Sequence, residues 1–331
     1  MQSQAVEGPY FDEMSVGQEF TGAPGVTLTS GLAAAHQAIT GGRLALTLDH
    51  QLCREVTGGA PIASPALVWD VAIGQSTVVT QHVRANLFYR GLAFRRLPLL
   101  GDTLRTSTEI VGLRQNRPRE GRPPTGLAAL RITTTDQDDR PVLDFWRCAM
   151  LPLRDPQAQT GHADDLDAIG ADAPQAPHEK LITGWQPEVL GRRAGGPHPA
   201  DLHQGQSFEV AGGDVVSSAP ELARLTGNIA AAHHDARAAS GERLVYGGHT
   251  IALALSQATR ALPSLVTVTG WDGCDHLAPV REGDTLRSTV TIDQVEYLPG
   301  GGGLVHLRSL VRADGPEPRE VLDWRYVAVL A

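Results

Sequence analysis

The sequence predicts an α+β fold built from two copies of one domain. Three observations carry this. Short stretches recur in the same order in both halves of the chain. Within each half, helix-like segments come first and several consecutive strand-like segments follow, the pattern of an antiparallel α+β unit. Between the halves lies a stretch with the composition of a linker.

The repeats are direct. Gly101-Asp102-Thr103-Leu104-Arg105 recurs as Gly283-Asp284-Thr285-Leu286-Arg287, 182 positions later. Val142-Leu143-Asp144-Phe145 recurs as Val321-Leu322-Asp323-Trp324, 179 positions later. Val16-Gly17-Gln18-Glu19-Phe20 resembles Gln204-Gly205-Gln206-Ser207-Phe208. Ala33-Ala34-Ala35-His36 is read as matching Ala230-Ala231-Ala232-His233. Ordered matches at similar spacing point to duplication of a domain. The boundaries expected are 1–155 for the first copy, 156–196 for the linker and 197–331 for the second copy.

The elements follow in order. Each copy opens on a glycine-containing turn and a polar helix carrying a histidine. A more apolar helix comes next, expected near 65–80 and near 248–262. In the second copy, 285–292, 304–311 and 321–329 alternate and favour β-branched or aromatic residues, so they read as strands. Gly300-Gly301-Gly302-Gly303 reads as a hairpin connection between two of them. The segment 155–178 is rich in Ala, Asp, Pro and Gly with no clear period, so it is expected to cross the surface as a linker.

Composition narrows the function. The chain has 331 residues, is 41% hydrophobic and carries a net charge of -9. That charge argues against a general nucleic-acid surface. No apolar run approaches the roughly 18 residues of a membrane span. The start, Met1-Gln2-Ser3-Gln4-Ala5-Val6-Glu7, lacks the pattern of a signal peptide, and a cytoplasmic protein is expected. Cys53, Cys148 and Cys274 show no CxxC spacing and read as free thiols, with no metal site expected.

The chemistry concentrates in one stretch. Leu225 to Asp235 reads LTGNIAAAHHD, and Leu244-Val245-Tyr246-Gly247-Gly248-His249 follows shortly after. Asn228 and His233 are five apart, with small alanines before the histidine that leave room for a substrate chain. Gly247 and Gly248 precede a helix-like run. Glycines at a helix start expose free N–H groups at the positive end of the dipole, which suits a developing oxyanion. His234 is expected to face away as a surface residue. Arg114, Arg117, Arg119 and Arg122 form a local basic loop, read either as a solvated hairpin or as a holder of phosphates.

These residues resemble the signature of the MaoC-like, (R)-specific enoyl-CoA hydratases: Gly, Asp, any residue, Asn, Pro, an aliphatic residue, His, any residue, Asp. Gly227, His233 and Asp235 fall on matching positions. Asn228 replaces the family's catalytic Asp, and Ala230-Ala231 replace its Asn-Pro pair. Tyr246-Gly247-Gly248-His249 is similar to the family's oxyanion turn. Gly41-Gly42-Arg43-Leu44-Ala45-Leu46, Gly101-Asp102-Thr103-Leu104 and Gly112-Leu113-Arg114-Gln115-Asn116 resemble the mesaconyl-CoA hydratase branch. The resemblance implies a double hot dog, each copy an antiparallel sheet wrapped round a long central helix. It also implies a hydratase or dehydratase of an enoyl-CoA or 3-hydroxyacyl-CoA thioester, short or branched, in fatty acid metabolism.

The site residues expected on this basis are Asn228, His233, Gly247 and Gly248 for catalysis, with Tyr246, Asp235 and Arg114 against the substrate. CoA enters only as part of the substrate, and no separate cofactor or metal is expected. An acyl-CoA thioester is the expected partner, and a homodimer is compatible with this reading. The first copy is expected to be degenerate. It has His36, but aligning the alanines places Gly31 opposite Asn228, and Ser64-Pro65-Ala66 stands where the glycine turn should be. Proline has no N–H to offer an oxyanion. Two rival readings stand beside this one. A hot-dog thioesterase would use a carboxylate on the central helix, for which Asp70 is the candidate. A non-catalytic acyl-CoA-binding protein would need no acid–base group at all.

Overall fold

The computed structural model describes residues 6–239, 241–298 and 301–331. Residues 1–5 of the N-terminal stretch and Gly300 of the four-glycine connection lie outside the described residues.

In the first copy, β1 (Glu19–Phe20) and β2 (Val26–Thr27) lead to α1 (Ser30–Thr40), α2 (Ala45–Leu48), α3 (His50–Thr57) and the central helix α4 (Pro65–Gln75). The strands β3 (Ala85–Phe94), β4 (Thr103–Gln115), β5 (Thr125–Thr135) and β6 (Pro141–Pro152) close that copy. Two short helices, α5 (His178–Leu181) and α6 (Pro187–Ala194), lie in the connection. The second copy repeats the order. It runs through β7 (Ser207–Glu209), β8 (Asp214–Val215), α7 (Ala219–Leu225) and the central helix α8 (Gly247–Ala261). Its closing strands are β9 (Leu265–His276), β10 (Thr285–Tyr297), β11 (Gly303–Ala313) and β12 (Arg319–Leu330).

All of these strands join one 12-stranded sheet. Its main path runs β1-β4-β5-β6-β3-β9-β12-β11-β10-β7 and is symmetric about the β3–β9 pair. That pair is antiparallel, with Tyr89 opposite Cys274 and Ala93 opposite Gly270. The sheet therefore has no free edge at the junction of the two copies. The fold is the double hot dog expected from the sequence.

The repeats mark equivalent structural devices. Gly101 and Gly283 both adopt positive φ, 101° and 94°. The next residue in each copy turns its carboxylate back on the chain: Asp102 accepts from Leu99 N–H and Asp284 from Arg281 N–H, both at 2.8 Å. Asp144 receives two guanidinium bonds from Arg131, and Asp323 receives two from Arg308. Gln75 donates to Leu104 O at 3.0 Å and Gln257 to Leu286 O at 2.9 Å, which sets α4 and α8 in register.

Every residue of α4 is buried. A helix enclosed on all sides has no polar face, so α4 shows no amphipathic period. Its Trp69 meets Trp271 edge-on at 5.0 Å and Trp324 at 6.0 Å, joining the helix of one copy to strands of the other. Such aromatic pairs add about 0.5–1.5 kcal/mol each beyond the area they bury.

One of the sequence matches is not a structural equivalence. Thr40 caps the end of α1 by donating to His36 O, and Thr226 caps the end of α7 by donating to Leu222 O. A left-handed glycine follows each, Gly41 with φ 63° and Gly227 with φ 71°. Thr40 thus corresponds to Thr226, so Gly42 rather than Gly31 stands opposite Asn228. Thr47, not His36, stands opposite His233. The alanine runs misled because small residues are common on tightly packed helices. The expectation of a polar histidine helix in both copies also changes. His36 lies within α1, whereas His233 lies beyond α7 in a single 3-10 turn, Ala231–His233.

The connection is more than a linker. Arg90 donates to the carbonyls of Leu166, Asp167 and Ile169, and Arg95 to those of Pro174 and Gln175. Leu166 packs with Leu127, Ala129 and Cys148, while Ile182 and Leu190 pack with Val266 and Val329. The segment lies along the sheet and is held mostly by its own carbonyls. Carbonyl anchoring leaves no periodic side-chain pattern to read.

Candidate active site

The site begins at the turn after α7. Asn228 is buried, and its Oδ1 accepts from Ala230 N–H at 3.0 Å, closing a local turn. His234 is half-buried and braces that turn, its Nε2–H donating to Asn228 O at 2.7 Å. It is therefore a support rather than the free surface residue expected. The turn delivers His233, which is 8% exposed. Its Nδ1 lies 2.8 Å from Leu244 O. A carbonyl can only accept, so Nδ1 carries the proton and the Nε2 lone pair is left free. Burial lowers the His233 pKa to about 4. The ring is neutral at physiological pH and can act as a proton acceptor.

His233 opens on a cavity of about 480 Å³. Gly247 and Thr250 of α8 line it, with His276 at the end of β9 and Val83 to Asn86 of the first copy. The N–H groups of Gly247 and Gly248 open α8 and so have no partner within the helix. The next one, His249 N–H, already donates to Tyr246 O at 3.0 Å. In the first copy Pro65 occupies the position of Gly247, so the donor is missing there, as the sequence implied.

Tyr246 and Gly248 face the other way. Tyr246 is 2% exposed and donates from its hydroxyl to Asp70 Oδ1 at 3.1 Å. The second oxygen of Asp70 lies 2.8 Å from His36 Nε2. Both members of that pair are buried, and burial raises the Asp70 pKa. A Cβ on Gly248 would overlap Asp70 Oδ1 and the Tyr246 ring, so glycine is needed where the two central helices meet. The Tyr246 ring then lies edge-on to His233, centroids 5.8 Å apart. Asp70 of the first copy thereby supports the wall of the second copy's site.

The expected site residues divide accordingly. His233 and Gly247 line the cavity. Asn228 lies behind it, while Tyr246 and Gly248 form its support. Asp235 points outward and pairs with Arg237 at 2.9 Å. Arg114 sits on β4 in an isolated bridge with Ala163 of the connection and lines neither this cavity nor the arginine-lined one described below. Asp235 Oδ1 also accepts from Arg237 N–H at 2.9 Å, a bond within its own turn.

Two residues escaped the sequence reading. His276 lines the cavity, and its Nε2 is buried without a partner among the described residues. A Cβ on Gly247 would overlap that nitrogen, so the glycine makes room for the ring. His276 corresponds to Phe94 of the first copy by the 182-residue offset, and a polar residue at an apolar repeat position was the available signal. Asp70 was noticed only as a thioesterase candidate. Among the described residues no cluster of His, Cys, Asp or Glu has the arrangement of a metal site. No described helix is long and apolar enough to cross a membrane.

No family model matches the chain. A conserved hypothetical protein of Mycobacterium tuberculosis with a double hotdog fold is 56% identical, with 98% of this chain and 99% of that one covered and a TM-score of 0.92. A putative MaoC domain protein dehydratase from Chloroflexus aurantiacus is 25% identical, covering 99% of each chain with a TM-score of 0.86. The beta-methylmalyl-CoA dehydratase of Chloroflexus aurantiacus is 26% identical over 100% of this chain and 99% of its own length. The mesaconyl-CoA hydratase of Cereibacter sphaeroides is 25% identical over 94% of this chain and 91% of its own. The match at 56% identity over 98% of the chain establishes that the chain belongs to the same double-hotdog family, and the 25% identical MaoC domain protein dehydratase shares that architecture.

Proposed function

We propose that this protein is a hydratase or dehydratase acting on an enoyl-CoA or 3-hydroxyacyl-CoA thioester, with a short or methyl-branched acyl group. The observation that carries the reading is His233. Its Nδ1–H is held by Leu244 O, its Nε2 is free, and it shares a cavity with the open N-terminus of α8. Relatives that span essentially the whole chain act on methylmalyl- and mesaconyl-CoA, which favours the short, branched class.

In the hydration direction, a water attacks the β-carbon while His233 Nε2 accepts its proton. The electron pair of the double bond moves toward the thioester, and its oxygen becomes enolate-like. The unpartnered N–H of Gly247, which lines the cavity at the start of α8, meets that charge, and one donor of this kind is typically worth about 2.7–4 kcal/mol. The α-carbon then takes that proton back from His233 Nε2–H, which completes addition of water and returns the ring to its neutral form. Asn228 cannot accept a proton as a base and serves to shape the turn that aims His233. Asp70 is enclosed by His36 and Tyr246 and does not reach the cavity, which argues against the thioesterase reading. The three described cysteines are free and buried, in keeping with a cytoplasmic enzyme.

The test is turnover of a panel of short, straight and methyl-branched enoyl-CoAs. His233→Ala should lower kcat/KM by about 10²–10⁴-fold on any substrate that turns over. If wild type and His233→Ala are equally inactive across the panel while saturated acyl-CoAs bind, the binding-protein reading replaces this one.

A further inference from the structure

A second cavity of about 680 Å³ lies beside the first. Arg84, Asn116, Arg117, Arg119 and Arg122 line it. Arg84 lines both cavities, so the two share a wall. The backbone explains the adjacency. Arg84 N–H donates to Met150 O at 2.8 Å, and Ala85 pairs with Met150, which places the start of β3 beside the end of β6. Thr125 pairs with Pro152, which brings the β4–β5 hairpin, with its arginines, to the same end of the sheet. Asn116 donates to Thr125 Oγ1 at 2.9 Å and closes the base of that hairpin. Arg84 itself is pinned by its Nη1–H to Ala238 O of the second copy, at 2.7 Å.

The charges here lack the carboxylate partners that most arginines of the chain have. Most arginines of this chain are paired with carboxylates, among them Arg96, Arg131, Arg140, Arg154, Arg308 and Arg319. Among the described residues, Arg117, Arg119, Arg122 and Arg84 have no carboxylate partner, although the chain carries a net charge of -9. Glu120 is exposed at the tip and does not line the cavity. Unpaired cations gathered around a concavity form a receptor for a polyanion, and guanidinium groups match phosphate oxygens in pairs.

We propose that this cavity binds the phosphates of the nucleotide half of CoA, with Arg117, Arg119 and Arg122 as the clamp and Arg84 at the turn toward the reacting end. The proposal rests on the thioester reading of the His233 cavity for what lies next door. It assigns the hairpin a role that neither its exposure nor its sequence alone establishes. The pantetheine arm passes Arg84, which lines both cavities, and runs on along Val83, Ala85 and Asn86 of the first.

The experiment compares binding of CoA and of pantetheine to the full chain and to the triple variant Arg117→Ala/Arg119→Ala/Arg122→Ala. Wild type should bind CoA more tightly than pantetheine by about tenfold or more, consistent with several charge-assisted contacts at a partly exposed site. The gap should shrink as salt rises, because exposed charges are screened within about 10 Å at 0.1 M salt. The triple variant should lose most of the gap while pantetheine thioesters turn over as before. A conservative variant with lysines at the three positions should restore part of it.

A triple variant that keeps the full gap overturns the proposal, as does inorganic phosphate displacing CoA as well as ADP does. The two readings fail separately. If the gap depends on the arginines but no enoyl thioester turns over, the hydratase reading falls and the clamp stands. If enoyl-CoA turns over with an unchanged KM in the triple variant, the clamp falls and the hydratase stands. Loss of the folded state in the alanine variant leaves the lysine variant and the wild-type salt dependence to decide.

Discussion

Asn228 holds the turn that aims His233. Its Oδ1 accepts from Ala230 N–H, a bond that a carboxylate oxygen can also accept. Asn228→Asp should therefore keep the turn while restoring a titratable group. It should raise turnover of a simple enoyl-CoA, with about 10²–10⁴-fold as the ceiling for an added acid–base group. Equal or lower turnover in a folded Asn228→Asp protein would show that this residue is not a detuned catalytic carboxylate. His36 behaves differently. It is 2% exposed and partners Asp70, so His36→Ala leaves a buried carboxylate without its partner. Breaking such a pair costs about 3–5 kcal/mol. Urea unfolding should report a loss of that size, and a loss under 1 kcal/mol would mean that Asp70 is neutral or finds another donor. The sequence did expose His233, because its neighbours carry a local pattern. Asp70 was not legible as a support, since its partners His36 and Tyr246 lie 34 and 176 residues away.

Among the elements, the central helices decide where the site lies. Gly74 near the end of α4 approaches the turn after α7 so closely that a Cβ would overlap the Thr226 carbonyl oxygen. Backbone on both sides cannot yield as a side chain can. Gly74→Ala should cost at least the ~1–3 kcal/mol typical of overpacking. It should also lower activity by displacing Asn228 and, through it, His233. A Gly74→Ala protein with wild-type melting temperature and activity would refute the tight contact. The helix α8 was legible from its glycine start and apolar run, and Gly247–Ala261 agrees with the expectation near 248–262. The 3-10 turn under His233 was not, because a single turn held by tertiary contacts leaves no periodicity.

For the whole molecule, buried histidines give stability a pH dependence. Burial lowers the pKa of His233, His249 and His276 to about 4 in each case. Unfolded histidine titrates near 6.5. Between these values the unfolded chain binds more protons than the folded one, so stability rises with pH. Their contribution is complete above about pH 6.5 and is lost as pH falls through about 4. The fully buried His249 alone can add a slope of up to ~1.4 kcal/mol per pH unit. Asp70 works in the opposite sense. Its pKa is raised in the folded state, so what it contributes is present at low pH and lost as pH rises through the folded value. The three histidines should prevail in the window from about 6.5 to 4.5. The urea midpoint should fall steadily on acidification through that range, and a flat midpoint would show that these rings are hydrated in solution.

The sequence by itself determined the duplication and the α+β class, because repeated turns and alternating strands are local features, and its resemblance to a known family implied the double hot dog. It also pointed to His233 as a candidate, to the glycine start of α8 and to the loss of a donor at Pro65, which are read from neighbours in the chain. The register between the copies was only partly legible: three repeats marked true equivalents and the alanine run did not. Tertiary structure alone decided that Thr47 rather than His36 is the counterpart of His233. It also decided that His36, Asp70 and Tyr246 meet, that His276 lies against Gly247, and that the hairpin arginines share a wall with the His233 cavity. Each of these joins residues far apart in sequence, and their proximity follows from closing the two copies into one sheet around a pair of buried helices.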